Sequence, residues 1–361
     1  MRITEVHAVY PKNHHVGSSW RTHFWQIAVR IDTDTGVCGW GYGGGGEGAV
    51  RVVNGHFRDL LLGREVEADQ EGIARTWDEL YKACVPYGRR GIAIMALSGI
   101  DLALWDLAGR LAGKPVFELL GGGGERNRIR AYATGSQLSR SRDSGFTAVK
   151  TSIQPRATTT PSEAADAEKE AVSVAVEWAT QARQMLGPQA LLMVDAYMSW
   201  TPALAVSMAQ ALRESDVYWL EDVLLPDELE DLAALRTRIR PSLLAGGEHE
   251  FTHYGFAEVA RAGALDLWQP DVTWCGGLTA ARRIVDLARR LGLAVVFHRG
   301  GEVWGLHLIA SGAGEDLAEL VIGSGGTGGQ TLWRGEPQAD NGYLTVPDGP
   351  GFGVEINTDF L

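Results

Sequence analysis

The sequence predicts an α/β protein whose larger part is a parallel sheet closed into a barrel. From about residue 128, short apolar segments alternate with amphipathic helices. The segments 148–153, 191–197, 217–223, 242–248, 265–271, 294–299 and 319–324 read as strands, with helices such as 163–186, 202–214, 227–238 and 278–291 between them. Buried strands joined by helices make a parallel sheet, and many near-equal units favour closure into a barrel. The second observation is length: 361 residues exceed one unit at about 150 residues per domain, and suit two domains or one large barrel with additions.

The elements before residue 128 have a different character. Residues 3–10 and 25–31 read as strands rich in β-branched and aromatic side chains, separated by a polar, aromatic loop. Residues 49–62 and 69–84 have helical character, and a stronger helix covers 92–112, where Ile100, Leu104, Leu107 and Leu111 share one face and Gly113 with Pro115 supplies the stop. Four glycines at 121–124 end the region. Beyond about residue 330, Pro337, Gly342, Pro347, Gly349, Pro350 and Gly351 mark loop and short strand returning to the first region. The stretch Gly41–Gly46 matches GxGxxG, a dinucleotide-binding pattern, but no second strand ending in an acidic residue follows the helix at 49–62. The better reading is a mobile loop near the barrel mouth.

Composition narrows the function classes. Lys and Arg total 33 against 45 Asp and Glu, a net charge of −12. A polyanion would need a clustered basic face, so nucleic acid is not expected as a partner and a small molecule is. Cys38, Cys84 and Cys275 form no CxxC pair and no even framework, which suits a reducing compartment. The N-terminal residues lack the order of a signal peptide, and no apolar run approaches the ~20 residues of a membrane span. A cytoplasmic protein away from membranes is expected, acting as a homo-oligomer.

In a barrel, side chains at the carboxyl ends of successive strands converge on one mouth, so functional residues should recur at the spacing of one strand plus one helix. Asp195, Glu221, Glu248, Asp271 and His298 close successive strands at intervals of 26, 27, 23 and 27 residues, with Lys150 before them and Glu319 after. Three carboxylates on adjacent strand ends repel one another unless a cation neutralises them. With oxygen ligands only, Asp195, Glu221 and Glu248 point to Mg²⁺, with Mn²⁺ as a substitute. Asp271 can hold one nitrogen of His298 and leave the other free as a base.

This ordered set, with LSGIDLALWDLAGRLAGKPVFELLGG before it, QPDVTWCGGLTAARRI inside it, AYATG at 131–135 and GFGVEIN near the C-terminus, resembles the enolase superfamily. The His–Asp dyad resembles the mandelate racemase branch, and the details are most similar to rhamnonate dehydratases and related acid-sugar dehydratases. The resemblance implies a (β/α)7β modified TIM barrel, residues 128–329, under an α+β capping domain made of residues 1–127 and completed by the tail 330–361. It implies Mg²⁺-dependent removal of the proton next to a substrate carboxylate, through a metal-stabilised enediolate. Lys150 would neutralise one carboxylate oxygen, and Glu319, if protonated, would hydrogen-bond the other.

Racemases of this branch carry Lys-x-Lys on the second strand, whereas this chain reads Lys150-Thr151-Ser152. A second base is therefore missing, which favours one-sided elimination: a hydro-lyase giving a 2-keto-3-deoxy acid from a monoacid sugar, with an epimerase or racemase, or a cycloisomerase, as the alternative. His249 follows a metal ligand and would point away if the strand continued, but joins the site if the strand ends at Glu248. Tyr197 stands where related sequences often have Asn and is expected to wall the pocket. Arg21, with His15 and His23 behind it, is expected to contact the distal part of the substrate, and Trp304 to cover the site or belong to the core.

Overall fold

A computed structural model describes residues 1–12, 25–123, 126–135, 137–322 and 332–361. The chain opens with an antiparallel sheet of β1 (Ile3–Val9), β2 (Ile27–Thr33) and β3 (Cys38–Gly43), in that order. The helices α1 (Gly46–Val52), α2 (Arg58–Leu61), α3 (Gln70–Cys84), α4 (Ile92–Ala112) and α5 (Val116–Leu119) follow.

β3 replaces the mobile loop that the glycines suggested. Its alternate residues Gly39, Gly41 and Gly43 lie flat on α4, where an added Cβ would come within 2.2 Å of Ala103 O, 2.1 Å of Gly99 O and 2.5 Å of Met95 O. Two residues of strand and four of helix both advance about 6–7 Å, so the two backbones stay in step along the contact. Glycine here serves close packing, and the strand's identity was hidden because it carries few side chains to show alternation.

α4 is the central helix of this region, with 16 of its 21 residues buried. It is long and apolar enough to cross a membrane, yet most of it lies inside the protein. This corrects the reading that no segment approaches that length; Asp101 and Asp106 interrupt the apolar run but are themselves buried.

The second part alternates β4 (Arg128–Thr134), α6 (Leu138–Asp143), β5 (Ala148–Ser152), α7 (Pro161–Leu186), β6 (Leu191–Asp195), α8 (Pro202–Ala211), β7 (Trp219–Glu221), α9 (Leu229–Arg236), β8 (Leu243–Gly246), α10 (Thr252–Ala262), β9 (Leu267–Trp268), α11 (Gly277–Leu291), β10 (Ala294–Val295), α12 (Val303–Ala310) and β11 (Ala318–Val321). The strands pair in parallel in chain order from β4 to β10, and β11 returns to pair with β4. Between β10 and β11 the bonds Glu315 N to Val295 O and Gly301 N to Glu319 O, both 2.8 Å, take the place of a ladder. This is a curled (β/α)7β barrel.

The floor of the barrel is a cluster of eight side chains, one from each strand or its edge: Tyr132, Ala148, Met193, Trp219, Ala245, Leu267, Val296 and Leu317. Because side chains on one face of a strand repeat every two residues, the next inward layer is Thr134, Lys150, Asp195, Glu221, Gly247, Gln269, His298 and Glu319. Seven of those eight are polar. The tail adds β12 (Trp333–Arg334), β13 (Tyr343–Thr345) and β14 (Glu355–Ile356). β13 runs antiparallel to the start of β4, and Phe352 N donates to Asp106 of α4 at 3.0 Å.

Candidate active site

The polar layer above the floor is bonded together. Lys150 Nζ donates to Glu221 Oε1, and to Glu319 Oε1 at 2.8 Å. The other oxygen of Glu221 accepts from Trp219 Nε1 at 2.8 Å and Gln269 Nε2 at 2.7 Å. Glu319 also accepts from Thr134 Oγ1 at 2.5 Å and Arg299 N at 2.8 Å. Burial works against the charged ammonium of Lys150, but Glu221 and Glu319 outweigh it and keep it protonated. Burial would also raise Glu319, but Lys150 and His298 prevail and hold it at about 2. Glu319 is therefore a carboxylate that accepts in the unliganded protein.

The acidic residues at the mouth are less well compensated. Burial, with Asp195, Glu319 and Glu248 as neighbours, raises Glu221 to about 7 against the pull of Lys150. Burial raises Asp195 too, with Glu248 adding to it against Lys150, and Asp222 is pushed well up by burial and then by Glu248, Glu221 and Asp195. Four oxygen donors crowded without enough positive charge suit a hard divalent cation. The tightest group of ligand atoms among the described residues belongs to Asp222, Glu248 and His249, all within 4.8 Å of one another.

Asp222 was missed because a strand neighbour of Glu221 should face away. It does not, because β7 stops at Glu221 and Asp222 takes a left-handed backbone, φ 42°. The same device recurs around the mouth: Tyr197 (φ 46°) and Met198 (φ 58°) after β6, Gly247 (φ 112°) after β8 and Arg299 (φ 51°) beside His298. A left-handed residue bends the chain, so neighbours in sequence can face the same cavity. This also answers the question of His249. β8 ends at Gly246, and Nε2 of His249 lies 3.2 Å from Glu248 Oε1. Its ring stacks on Trp274, centroids 6.0 Å apart, and meets Tyr197 edge-on at 6.2 Å. Burial lowers its pKa against the influence of Glu248.

His298 and Asp271 meet as the spacing suggested. His298 Nδ1 lies 2.8 Å from Asp271 Oδ2, and Nε2 lies 3.3 Å from Glu248 Oε2. Burial would lower His298, but Glu248, Asp271 and Glu319 raise it to about 10. A cation bound to Glu248 would remove much of that influence and bring the imidazole down towards neutrality. Burial would raise Asp271, yet Arg299 and His298 hold it at about 2.

Trp304 is not a lid over the mouth. It is 2% exposed and packs against Tyr42, Trp333 and Phe352, with centroids 6.0, 5.0 and 4.5 Å away. The wall is Trp274, three residues beyond Asp271, lying between His249 and His298. It stood inside the quoted QPDVTWCGG motif, but a buried Trp three residues past an acid carries no signature of its own. Arg299, also missed, donates to Asp271 Oδ2 at 3.1 Å and lies over the rings of Trp274 and Trp25. Gln269 and Thr134 could have been found by counting two residues up from the floor. Arg21, His15 and His23 lie outside the described residues.

Comparison with known proteins agrees with this architecture. Residues 3–121 match the family model of the mandelate racemase/muconate lactonizing enzyme N-terminal domain, and 133–360 that of the enolase C-terminal domain-like family. A protein of Caldivirga maquilingensis, provisionally named L-rhamnonate dehydratase, is 34% identical over 98% of this chain and 87% of its own length. The 3,6-anhydro-D-galactonate cycloisomerase of Zobellia galactanivorans is 27% identical, with a TM-score of 0.85 over 99% of this chain and 98% of its own. The rhamnonate dehydratase of Gibberella zeae, solved complexed with Mg, is 27% identical, with a TM-score of 0.84 over 99% and 94%. With both halves matched and the polar layer of the barrel in place, the chain belongs to the mandelate racemase/muconate lactonizing enzyme family of the enolase superfamily.

Proposed function

We propose that the protein is a hydro-lyase acting on a monoacid sugar, rhamnonate or a near relative such as lyxonate or mannonate, and producing a 2-keto-3-deoxy acid. The observation that carries this reading is that His298, oriented by Asp271, faces the acidic mouth from one side, while the second strand brings no second lysine. Lys150 is a protonated, buried partner of two glutamates, and Ser152, where a second lysine would serve a racemase, is exposed and accepts from Gln154.

The metal that suits this site is Mg²⁺, with Asp195, Glu221 and Glu248 as its ligands and Asp222 beside them, and when bound it supplies positive charge to a carboxylate becoming a dianion. The relatives' dehydratase names and the Mg complex of the Gibberella zeae protein support this. The chain's own residues do the rest. Asp271 fixes Nδ1–H, leaving Nε2 of His298 to take the C2 proton. The electron pair from the C2–H bond forms a double bond as the C3–O bond breaks. The leaving hydroxyl takes a proton from the imidazolium of His298, departs as water, and the enol tautomerises to the keto acid. The net change is loss of one water.

An NMR time course with rhamnonate in deuterated buffer tests this. The expected result is a keto-deoxy product, lost with chelator and restored by Mg²⁺. Accumulation of the C2 epimer without that product would make the protein an epimerase. The fold similarity to a cycloisomerase favours one other reading, opening of an anhydro-sugar acid after the same first step. Turnover of 3,6-anhydrogalactonate without turnover of aldonates would establish it instead.

A further inference from the structure

Gln26 belongs to the N-terminal domain, at the start of β2, yet its buried amide is bonded wholly to the barrel. Its Oε1 accepts from Trp274 Nε1 at 2.7 Å, and its Nε2 donates to Thr273 Oγ1 at 2.9 Å. The indole can only donate, so it fixes which end of the amide faces which partner. Thr273 Oγ1 also accepts from Arg299 Nη2 at 2.5 Å. A hydroxyl has two lone pairs and one proton, and both lone pairs are now filled. The proton can go only to Asp271 Oδ1, 2.7 Å away.

Asp271 thereby receives four donors. Thr273 N, at 2.7 Å, and Thr273 Oγ1 meet Oδ1, while His298 Nδ1 and Arg299 Nε meet Oδ2. We infer that Gln26 is a positioning residue for the catalytic dyad: by saturating Thr273, it directs the hydroxyl onto Asp271 and holds the carboxylate in the plane that orients His298. Its amide bonds to Thr273 and Trp274 and to none of the carboxylates at the mouth. Its effect passes through Thr273, and it links the N-terminal domain to the proton-transfer step. This rests on His298 being the base of the proposed reaction.

Two substitutions separate direction from packing. Gln26→Leu removes both bonds, so the Thr273 hydroxyl keeps Arg299 Nη2 and Asp271 Oδ1 but loses the second donor that pins its rotation. Gln26→Glu keeps an acceptor for Trp274 but replaces the donor with a second acceptor, drawing the hydroxyl away from Asp271. In both, kcat should fall ~10- to 100-fold, the usual range for an outer partner of a catalytic group, with KM within about twofold, and Gln26→Glu should lose at least as much as Gln26→Leu. Combined with Thr273→Val, Gln26→Leu should add little to the loss from Thr273→Val alone, since both act on one chain of bonds. The substrate-free protein gives a separate reading. With ¹⁵N-labelled histidine, the Nδ1–H resonance of His298, assigned by its absence in His298→Asn, should shift or broaden in both Gln26 variants while thermal unfolding stays cooperative. An unchanged His298 resonance, or a rise in KM with kcat intact, would overturn the assignment. If no aldonate is turned over even by the unaltered protein, the dehydratase reading fails and the histidine resonance still decides the role of Gln26.

Discussion

Two buried acidic regions of this molecule hold their carboxylates with different partners. In the seam between β3 and α4, Asp106 accepts from Trp40 N at 2.8 Å, Phe352 N at 3.0 Å and Arg110 Nε at 2.7 Å, so one carboxylate has three donors. At the barrel mouth Asp195, Glu221, Asp222 and Glu248 crowd together, and Lys150 is the cation whose attraction opposes the rise of the first three. The backbones differ likewise, with glycine flat against helix in the seam and left-handed residues, all but Gly247 carrying a side chain, around the mouth. A carboxylate bonded to backbone donors in a close-packed seam holds a fold together, whereas carboxylates crowded against one another on a bent chain keep oxygens free for a ligand.

The sharpest way to separate the two regions is to remove function from one and stability from the other. His298→Asn should lower turnover and C2 hydrogen exchange by ~10²- to 10⁴-fold, the usual contribution of a general base, while its melting temperature stays near that of the unaltered protein. Undiminished exchange would move the base elsewhere. Gly41→Ala should do the reverse. Its Cβ would sit 2.1 Å from a backbone oxygen that has no room to yield, and a loss of about 3 kcal/mol is expected in denaturant titration. A loss under about 1 kcal/mol would show that α4 can shift.

Asp101, also on α4 but facing α11, is a buried carboxylate with fewer donors than Asp106. One oxygen accepts from Thr279 N at 3.0 Å, while the other has no partner. Burial raises this group to about 7 against the Thr279 bonds. A carboxyl whose folded pKa lies above its unfolded value binds the proton more tightly when folded, so its contribution to stability falls as pH rises from about 4 through 7. Between pH 5 and 8 that loss is on the order of 2 kcal/mol. Asp101→Asn keeps an acceptor for Thr279 and should flatten this part of the stability profile; an unchanged profile would show that Asp101 is ionised throughout. The smallest effect is expected at Asp222. Asp222→Asn should raise the melting temperature of the metal-free protein by relieving repulsion, and weaken Mg²⁺ or Mn²⁺ binding about tenfold by calorimetry. Equal loss from Asp222→Asn and Asp195→Asn would make Asp222 a ligand in its own right.

Much of the barrel was legible because two periodicities coincide in it. Strand plus helix repeats every 23 to 27 residues from Asp195 to His298, and each strand of the barrel carries its polar residue at the same end. The left-handed residues were not legible. Asp222 and Arg299 carry no mark of glycine or asparagine, so nothing in the sequence singles them out, although the backbone turns them towards the site. β3 was missed for the opposite reason, since Gly39, Gly41 and Gly43 signal freedom in a sequence and contact in the structure. Trp304 was ambiguous because aromatic residues line cores and pockets alike; only its neighbours Tyr42, Trp333 and Phe352 place it in the core.

The tail gives the molecule an order of assembly. Trp333 and Phe352 pack against the N-terminal domain and Trp304, and Phe352 N completes Asp106, yet these residues follow the entire barrel in the chain. The barrel thus lies in the chain between the N-terminal strands and the tail that packs on them. During synthesis, β1 to α4 emerge first with Asp106 lacking a donor and the Tyr42 face uncovered, and they wait in that condition for more than two hundred residues to pass from the ribosome. The polypeptide closes like a clasp, with its last segment fastening its first, so stalled or truncated chains would present an open cap to chaperones and proteases even where the barrel had already formed.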